Sequence, residues 1–315
     1  MKVALFSGQG SQYVGMTADL VERFHVAKTL AARANEVLGY DLHELMISGP
    51  AEVLTQTQHT QPALFIHEAM LLAITNIDAH VDAFAGHSLG EFSALYAAGA
   101  LDFEDALELV QKRGTIMYET GKQIPGTMAA IVGLENEKVA AICKELSRDA
   151  NNVIVPANYN SIGQVVISGN TELVRTSLDV FKSNGARMAR ELQVSGAFHS
   201  PLLTTAMTEW ANAVTSTLFR NATKPVYSNT TALPEQQASL LQQAAIEQMV
   251  SPVLWTQTLQ NLHRNGFTDF IEVGPQAVLQ GLVKRTLESV SIEGLDKAAD
   301  CERYLGIVGD NHGNA

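Results

Sequence analysis

Cysteines, basic side chains and long apolar segments are all scarce in this sequence of 315 residues. Cys143 and Cys301 are the only cysteines, too few for a disulfide framework or a cysteine-rich zinc site. Lys and Arg total 21 against 33 Asp and Glu, and the net charge of −12 argues against nucleic acid as a partner. No apolar run approaches the roughly 20 residues of a membrane span, and residues 1–6 lead into a glycine turn without a signal-peptide pattern. We therefore expect a cytoplasmic globular protein with neither a nucleic-acid nor a membrane partner.

Signatures of metal and nucleotide sites are missing as well. His59 and His67 are too far apart to share one helical turn as a metal-ligand pair, and no His-Glu-x-x-His motif occurs. Gly8-Gln9-Gly10 follows a strand-like stretch, but Tyr13 stands where a dinucleotide-binding loop would have its third glycine. The sequence predicts no metal and no bound cofactor.

Residues 86–90, Gly-His-Ser-Leu-Gly, have the G-x-S-x-G pattern of a nucleophile elbow. An apolar strand-like stretch at 83–85 precedes them and a helix-like stretch at 91–98 follows, which is the context such an elbow requires. The N-terminus of that helix would direct N–H groups towards an oxyanion at the serine. The pattern favours Ser88 as a nucleophile.

A serine nucleophile needs a base and oxyanion donors. Of the nine histidines, His199 has the best setting, on a turn at a predicted domain junction, although a lone histidine is more often structural. Leu89 would supply one oxyanion N–H and the loop at 7–12 another, unless that loop is only a tight turn. No convincing third carboxylate is evident, since Glu209 is more simply interpreted as a solvated acid.

The segment 103–119 is predicted to be a helix with Asp102 as its N-cap. A second helix is predicted at 62–76, with Pro62 in its first turn. Arg113 lies in the first of these helices. A charged residue on a helix usually faces solvent, so its role stays open at this point.

Two domains are predicted from the order of elements. After a cluster of helix breakers at 121–126, the pattern is β-α-β-β-α-β, which is typical of a ferredoxin-like domain. We place this insert at 125–197. Residues 1–124 and 198–315 alternate strand and helix, as in α/β proteins with a parallel sheet covered on both faces. The tail beyond about residue 298 is predicted to be frayed.

Seven short motifs follow one another along the chain in an order that resembles a known family. They are Gly8-Gln9-Gly10-Ser11-Gln12, Gly86-His87-Ser88-Leu89-Gly90-Glu91, Arg113-Gly114, Gly126-Thr127-Met128-Ala129-Ala130, Ala197-Phe198-His199-Ser200, Pro252-Val253-x-Trp255 and Glu272-Val273-Gly274-Pro275. The set resembles the malonyl-CoA:acyl-carrier-protein transacylases and extends from residue 3 to about 288. The resemblance implies a hydrolase-like large α/β domain with an inserted ferredoxin-like domain. The stretch at 195–200 is most similar to discrete acyltransferases that serve polyketide synthases in trans.

The resemblance also implies roles for individual residues. Ser88 is expected to be acylated, with His199 as its general base. In this family a main-chain carbonyl and not a carboxylate orients the histidine, and the matching position here is Gln248. Gln9 and Leu89 match the donors of the oxyanion hole.

Three further positions match substrate-binding residues of the family. Arg113 matches the arginine that holds the malonyl carboxylate, a role that suits the fixed fork of a guanidinium. Phe198 resembles the bulky residue that favours malonyl over methylmalonyl groups, and His87 is expected to contact substrate. Ser7 and Ser251 depart from the proline and asparagine that the family often has there.

The implied reaction moves a malonyl group from malonyl-CoA, through acyl-Ser88, to the phosphopantetheine thiol of an acyl-carrier protein. It would serve polyketide or fatty-acid synthesis, and we expect a monomer. The principal alternative is an editing acyl hydrolase acting on carrier thioesters, which would not need Arg113. A non-catalytic docking subunit and a generic esterase are further alternatives, the first disfavoured by the intact Ser88 and His199, the second by the missing carboxylate.

Carrier docking would require a basic surface on this acidic protein. The candidate side chains are Lys138, Lys144, Lys182, Arg187, Arg190, Lys284 and Arg285.

Overall fold

A computed structural model describes residues 1–147 and 152–306. Its strands are β1 (Lys2–Phe6), β2 (Ala83–Gly86), β3 (Gly126–Val132), β4 (Ile154–Ser161), β5 (Gln164–Asn170), β6 (Met188–Glu191), β7 (Val226–Tyr227), β8 (Pro234–Glu235), β9 (Asp269–Val273) and β10 (Ser291–Leu295). They form two sheets, one in the order β10-β9-β1-β2-β7-β8 and one in the order β4-β5-β3-β6.

Helices surround these sheets. They are α1 (Ala18–Arg23), α2 (His25–Leu38), α3 (Leu42–Ser48), α4 (Ala51–Leu54), α5 (Thr57–Thr75), α6 (Gly90–Ala97), α7 (Phe103–Gln123), α8 (Asn136–Leu146), α9 (Thr171–Ser183), α10 (Met207–Ser216), α11 (Ala238–Glu247), α12 (Trp255–Arg264), α13 (Val278–Thr286) and α14 (Ala298–Tyr304), with short 3₁₀ helices at Ile77–His80 and Pro201–Ala206. None of these helices is long and apolar enough to cross a membrane.

The six-stranded sheet is parallel except for its last pair, β7 and β8. Alternate residues of its central strand β1 enter different cores: Ala4 and Phe6 pack into one, Val3 and Leu5 into the other. Burial on both faces explains why this strand is apolar throughout. The predicted fold class, a parallel α/β sheet with a second, separate sheet, is confirmed.

The four-stranded sheet is antiparallel and has its own core. Residues of α8 and α9, including Val139 and Phe181, pack with Ile131 and Val165 of the sheet. Its strand order is the one a ferredoxin-like β-α-β-β-α-β unit adopts. We propose that residues 125–197 form an inserted small subdomain.

A third connection joins this subdomain to the large sheet domain, besides its two chain crossings. Asn158 and Val253 form a β-bridge. The Tyr159 N–H donates to the Val253 carbonyl at 2.9 Å, and the Val253 N–H donates to the Ala157 carbonyl at 2.8 Å. The Thr256 hydroxyl donates to the Tyr159 carbonyl at 2.9 Å. The end of β4 is thereby fixed against the large domain.

Two predictions about elements are wrong in detail. Helix α5 begins at Thr57, so Pro62 lies in its interior and not in its first turn, although an interior proline removes one helical hydrogen bond. The tail predicted to fray beyond 298 contains helix α14, anchored by the buried Ala298 and Cys301. Residues 307–315 of that tail lie outside the described ranges.

Candidate active site

A cavity of about 170 Å³ lies between the large domain and the small subdomain. The large domain contributes Gln61 and Met117 to its wall, and the small subdomain contributes Asn158, Asn160 and Val166. Seven of the eight site residues expected from the sequence line it: Gln9, His87, Ser88, Leu89, Arg113, Phe198 and His199. The eighth, Gln248, lies directly behind them.

Ser88 stands on a sharp turn between β2 and α6, with a φ of 54° in the left-handed region. The turn is possible only because its flanking residues lack side chains. A Cβ on Gly86 would lie 1.9 Å from the Gly90 carbonyl oxygen, and one on Gly90 would lie 2.3 Å from the Phe6 carbonyl oxygen. The glycines thus bring the nucleophile elbow against the end of β1.

Asn229 holds the elbow in this strained form. Its Oδ1 accepts from the Ser88 N–H at 2.7 Å, and its Nδ2 donates to the Gly86 carbonyl at 2.7 Å. A left-handed non-glycine residue costs of order 1–3 kcal/mol and persists only where its surroundings fix it. Asn229 is therefore part of the site, although no local motif in the sequence indicates it.

Ser88 and His199 form a hydrogen-bonded pair. The Oγ to Nε2 distance is 2.7 Å. The other ring nitrogen, Nδ1, lies 3.0 Å from the main-chain carbonyl of Gln248 and 3.2 Å from that of Ser251. Because a carbonyl can only accept, Nδ1 carries the hydrogen and Nε2 has a free lone pair facing the serine. The predicted carbonyl contact to Gln248 is present, and that of Ser251 is an addition.

The N–H groups of Gln9 and Leu89 are candidates for the oxyanion hole. In the described part of the chain, neither donates a hydrogen bond to another protein group. The Gln9 side chain donates to Thr57 Oγ1 at 3.1 Å, which fixes the loop. Ser7, at the family's proline position, donates to Glu68 Oε1 at 2.7 Å and anchors the same loop from behind. Both N–H groups are thus available to an oxyanion.

Arg113 is wholly buried, which excludes the interpretation that it faces solvent on the surface of its helix. Nη1 donates to Gln61 Oε1 at 2.8 Å. Nη2 donates to Gln248 Oε1 at 2.7 Å and to Ser88 Oγ at 3.1 Å, and the guanidinium lies 5.4 Å from the centre of the Phe92 ring. A permanent cation therefore stands beside the nucleophile.

His87 and Phe198 shape the remaining wall. His87 Nε2 lies 2.8 Å from Asn160 Oδ1 of the small subdomain, and its ring packs edge-on against Trp255 at 5.5 Å. Phe198 is buried and precedes His199 directly. Both line the cavity.

Burial sets the charge state of the site. It lowers the pKa of His199 to about 3, with the neighbouring Arg113 cation acting in the same direction. It also lowers the pKa of Arg113 to about 10, which leaves the guanidinium charged at neutral pH. The site at neutral pH holds a neutral base beside a cation.

Outside the cavity, the seven basic residues proposed for carrier docking are all exposed. Lys138 donates to the Asn184 carbonyl and Lys182 pairs with Asp179. Arg187 and Arg285 line one surface cavity of about 440 Å³ together with Ile162 and Met188, both of which are exposed. Two of the seven candidates, Arg187 and Arg285, therefore share a site.

Glu209 pairs with Lys112 at the surface and takes no part in the site. Its interpretation as a solvated acid agrees with this placement.

Comparisons with known proteins bear on this arrangement. The sequence profile described as an acyl transferase domain matches residues 3–314. A malonyl CoA-acyl carrier protein transacylase of Staphylococcus aureus (strain MRSA252) is 37% identical over 301 residues, covering 95% of this chain and 97% of the relative. The protein of the same name from Escherichia coli (strain K12) is 38% identical over 295 residues, covering 93% and 95%.

Solved structures agree. PlMCAT, a malonyl-transacylase in complex with its type II polyketide synthase acyl-carrier protein AntF, superposes with a TM-score of 0.92 at 37% identity, covering 97% of this chain and 99% of that one. An acyl carrier protein S-malonyltransferase from Vibrio cholerae gives 0.90 at 38% identity, covering 96% and 99%. The hydrolase alternative finds no support in these relatives. With the motifs, the fold and these likenesses in agreement, the chain belongs to the acyl transferase family and, within it, to the malonyl-CoA:acyl-carrier-protein transacylases.

Proposed function

We propose that this protein transfers a malonyl group from malonyl-CoA to the phosphopantetheine thiol of an acyl-carrier protein by way of malonyl-Ser88. One observation carries the proposal: a hydrogen-bonded Ser88–His199 pair shares its cavity with a buried arginine whose Nη2 lies 3.1 Å from the nucleophilic oxygen. A hydrolase for neutral acyl groups would have no use for a cation there.

In the first half-reaction Ser88 Oγ attacks the thioester carbon of malonyl-CoA, and its proton passes to His199 Nε2. The N–H groups of Gln9 and Leu89 donate hydrogen bonds to the tetrahedral oxyanion, each worth roughly 10²–10³-fold in rate. The carbon–sulfur bond then breaks, and coenzyme A leaves with the proton from His199. The Gln248 and Ser251 carbonyls stabilise the transient imidazolium through Nδ1–H.

The second half-reaction reverses these roles. The carrier thiol gives its proton to His199 and its sulfur attacks the malonyl ester. The carbon–oxygen bond breaks, and the proton returns to Ser88. Because burial lowers the pKa of His199 to about 3, its imidazole is neutral at the start of each half-reaction at neutral pH.

Selection of the acyl group is assigned to Arg113 and Phe198. The guanidinium would pair with the carboxylate of a malonyl ester on Ser88, which is short enough to reach it. A neutral acyl group would leave that buried cation without a counter-charge, at a cost of roughly 1–3 kcal/mol. Phe198 would disfavour a branch at C2 by a similar roughly 1–3 kcal/mol.

We place the reaction in the cytoplasm, in polyketide or fatty-acid synthesis. Both cysteines are unpaired and buried, which suits a reducing compartment. The solved relative bound to a polyketide carrier protein supports the polyketide assignment.

The test is to mix the purified protein with malonyl-CoA and record its intact mass, with Ser88→Ala in parallel, and then to add a carrier protein bearing phosphopantetheine. We expect a malonyl adduct on the wild type only, which the carrier then removes as malonyl-carrier. Release of the adduct as free malonate in the presence of the carrier would favour the hydrolase and refute the proposal.

A further inference from the structure

The Gln248 side chain contacts several parts of the active site at once. Its Nε2 donates to the Ser88 carbonyl at 2.9 Å and to Glu91 Oε2 at 2.6 Å. Its Oε1 accepts from Arg113 Nη2 at 2.7 Å. The main-chain carbonyl of the same residue accepts from His199 Nδ1. This one residue therefore contacts the main chain of the nucleophile and the cation through its side chain, and the base through its main-chain carbonyl.

Glu91 is one of three groups, with the Ser88 carbonyl and Arg113, that fix which way that amide faces. It lies in the first turn of α6, only 4% exposed, and its Oε2 also accepts from the Asn229 N–H at 3.2 Å. An ionised Glu91 and the Ser88 carbonyl can only accept hydrogen bonds, and Arg113 can only donate them, so the NH₂ end of Gln248 faces Glu91 and the oxygen faces Arg113. An amide turned by half a rotation would direct two donors at the guanidinium.

Glu91 also balances the charge of the cavity. It is the side chain whose charge raises the pKa of Arg113, against the lowering effect of burial. Burial in turn raises the pKa of Glu91 to about 7, and Arg113 partly opposes this. A buried cation needs such a partner, and the substrate carboxylate is present only during turnover.

We infer that Glu91 is a positioning residue for acyl-group selection: through the amide of Gln248 it directs the Arg113 guanidinium at the acyl group on Ser88. The inference rests on the proposed function, since it gives Arg113 the task of binding the malonyl carboxylate. Glu91 itself touches no part of the substrate in this arrangement. It therefore affects the rate of transfer of malonyl groups and not that of neutral acyl groups.

Glu91→Gln is the variant that separates charge from shape. The new side chain has the same size and keeps one oxygen that can accept from Asn229. It loses the negative charge that accepts from the Gln248 amide and opposes that of Arg113. Acylation rates with malonyl-CoA and acetyl-CoA are measured by rapid quench and intact mass for the wild type, Glu91→Gln, Arg113→Ala and the double variant.

We expect Glu91→Gln to slow malonylation by about tenfold and acetylation by less than about threefold, since residues in one hydrogen-bond network couple by this order of magnitude. In the Arg113→Ala background the same change should have no further effect on malonylation. Gln248→Met keeps the main-chain carbonyl to His199 but removes the amide, including its hydrogen bond to the Ser88 carbonyl, so it should slow both reactions, and malonylation more than acetylation.

Glu272→Gln is the matched control. Glu272 is also buried with a pKa raised to about 7, but it accepts from the N–H groups of Leu279 and Gln280 and lies outside the cavity wall. Its replacement should lower the melting temperature and leave the malonyl-to-acetyl ratio unchanged.

Two results would overturn the inference and leave Glu91 a structural residue. One is an equal loss of acylation rate with malonyl-CoA and acetyl-CoA in Glu91→Gln, and the other is the same loss of malonylation rate with and without Arg113. Melting temperatures show whether Glu91→Gln is misfolded. If it is, the malonyl-to-acetyl ratio of Gln248→Met tests the inference instead. A wild-type protein that takes up no malonyl group would refute the proposed function instead.

Discussion

Replacing Arg113 by alanine is the most direct test of how this cavity distinguishes a malonyl from an acetyl group. The guanidinium is wholly buried and lies 3.1 Å from the oxygen that would carry the acyl group. The carboxylate of a malonyl ester on that oxygen would accept two charge-assisted hydrogen bonds from the guanidinium, each worth about 1.5–3 kcal/mol. Their loss corresponds to a decrease of about 10²–10⁴-fold in the rate of malonylation.

An acetyl group makes neither bond, so its transfer should change by less than about tenfold. The quantity to measure is kcat/KM for acylation by malonyl-CoA and by acetyl-CoA. Arg113→Lys serves as the matched variant, because it keeps the charge but loses the planar fork, and should fall between wild type and alanine. A decrease of the same size for both donors in Arg113→Ala would refute the assignment and make the arginine a packing residue.

Three further predictions follow from the geometry. Asn229→Ala leaves the N–H of Ser88 unpaired, so acylation should fall by about 10–100-fold with malonyl-CoA and acetyl-CoA alike; a loss confined to malonyl-CoA would contradict its role in holding the elbow. The pKa of His199 is about 3 in the folded protein against 6.5 as its ordinary value. As the pH falls, the unfolded chain is therefore protonated at this histidine before the folded chain is. The free energy of unfolding should fall by on the order of 4 kcal/mol as the pH drops from 6.5 towards 3. Urea unfolding at several pH values should show this loss in the wild type and not in His199→Gln, and parallel curves would refute it. Arg285→Glu and Arg187→Glu should raise KM for the carrier protein without altering acylation by malonyl-CoA; an unchanged KM in both would exclude their shared surface from docking.

Much of the fold was accessible from sequence because the relevant signals are local. The strand at Lys2–Phe6 is buried on both faces, and an uninterrupted apolar run predicts it. The Asp102 N-cap was predicted correctly, and its side chain accepts from the Asp105 N–H. By contrast, the edge strand Ser291–Leu295 was missed because only its last residue is fully buried and its apolar pattern is weak. Its pairing with β9 is a tertiary contact with little trace in the local sequence.

The candidate site shows the same contrast between local and distant signals. The serine elbow and the setting of His199 gave motifs in a few adjacent residues, whereas the partners that hold them lie far away in the chain. Asn229 is 141 positions from Ser88, and the Gln248 side chain is 157 positions from Glu91. Gln61 was placed before a helix that in fact includes it. A buried amide looks the same in sequence whether it supports catalysis or only satisfies a neighbouring backbone group.

The β-bridge between Asn158 and Val253 has a consequence for building hybrid enzymes. The strands between residues 126 and 191 form a separate sheet with its own core, which makes this segment a candidate for exchange as a cassette. Asn158 and Asn160, however, both belong to that cassette and line the acyl cavity, and the strand that carries them is registered against Val253 of the host. A donor cassette should therefore yield an active hybrid only if residues 157–159 and the host segment around Val253 are transplanted as a matched pair.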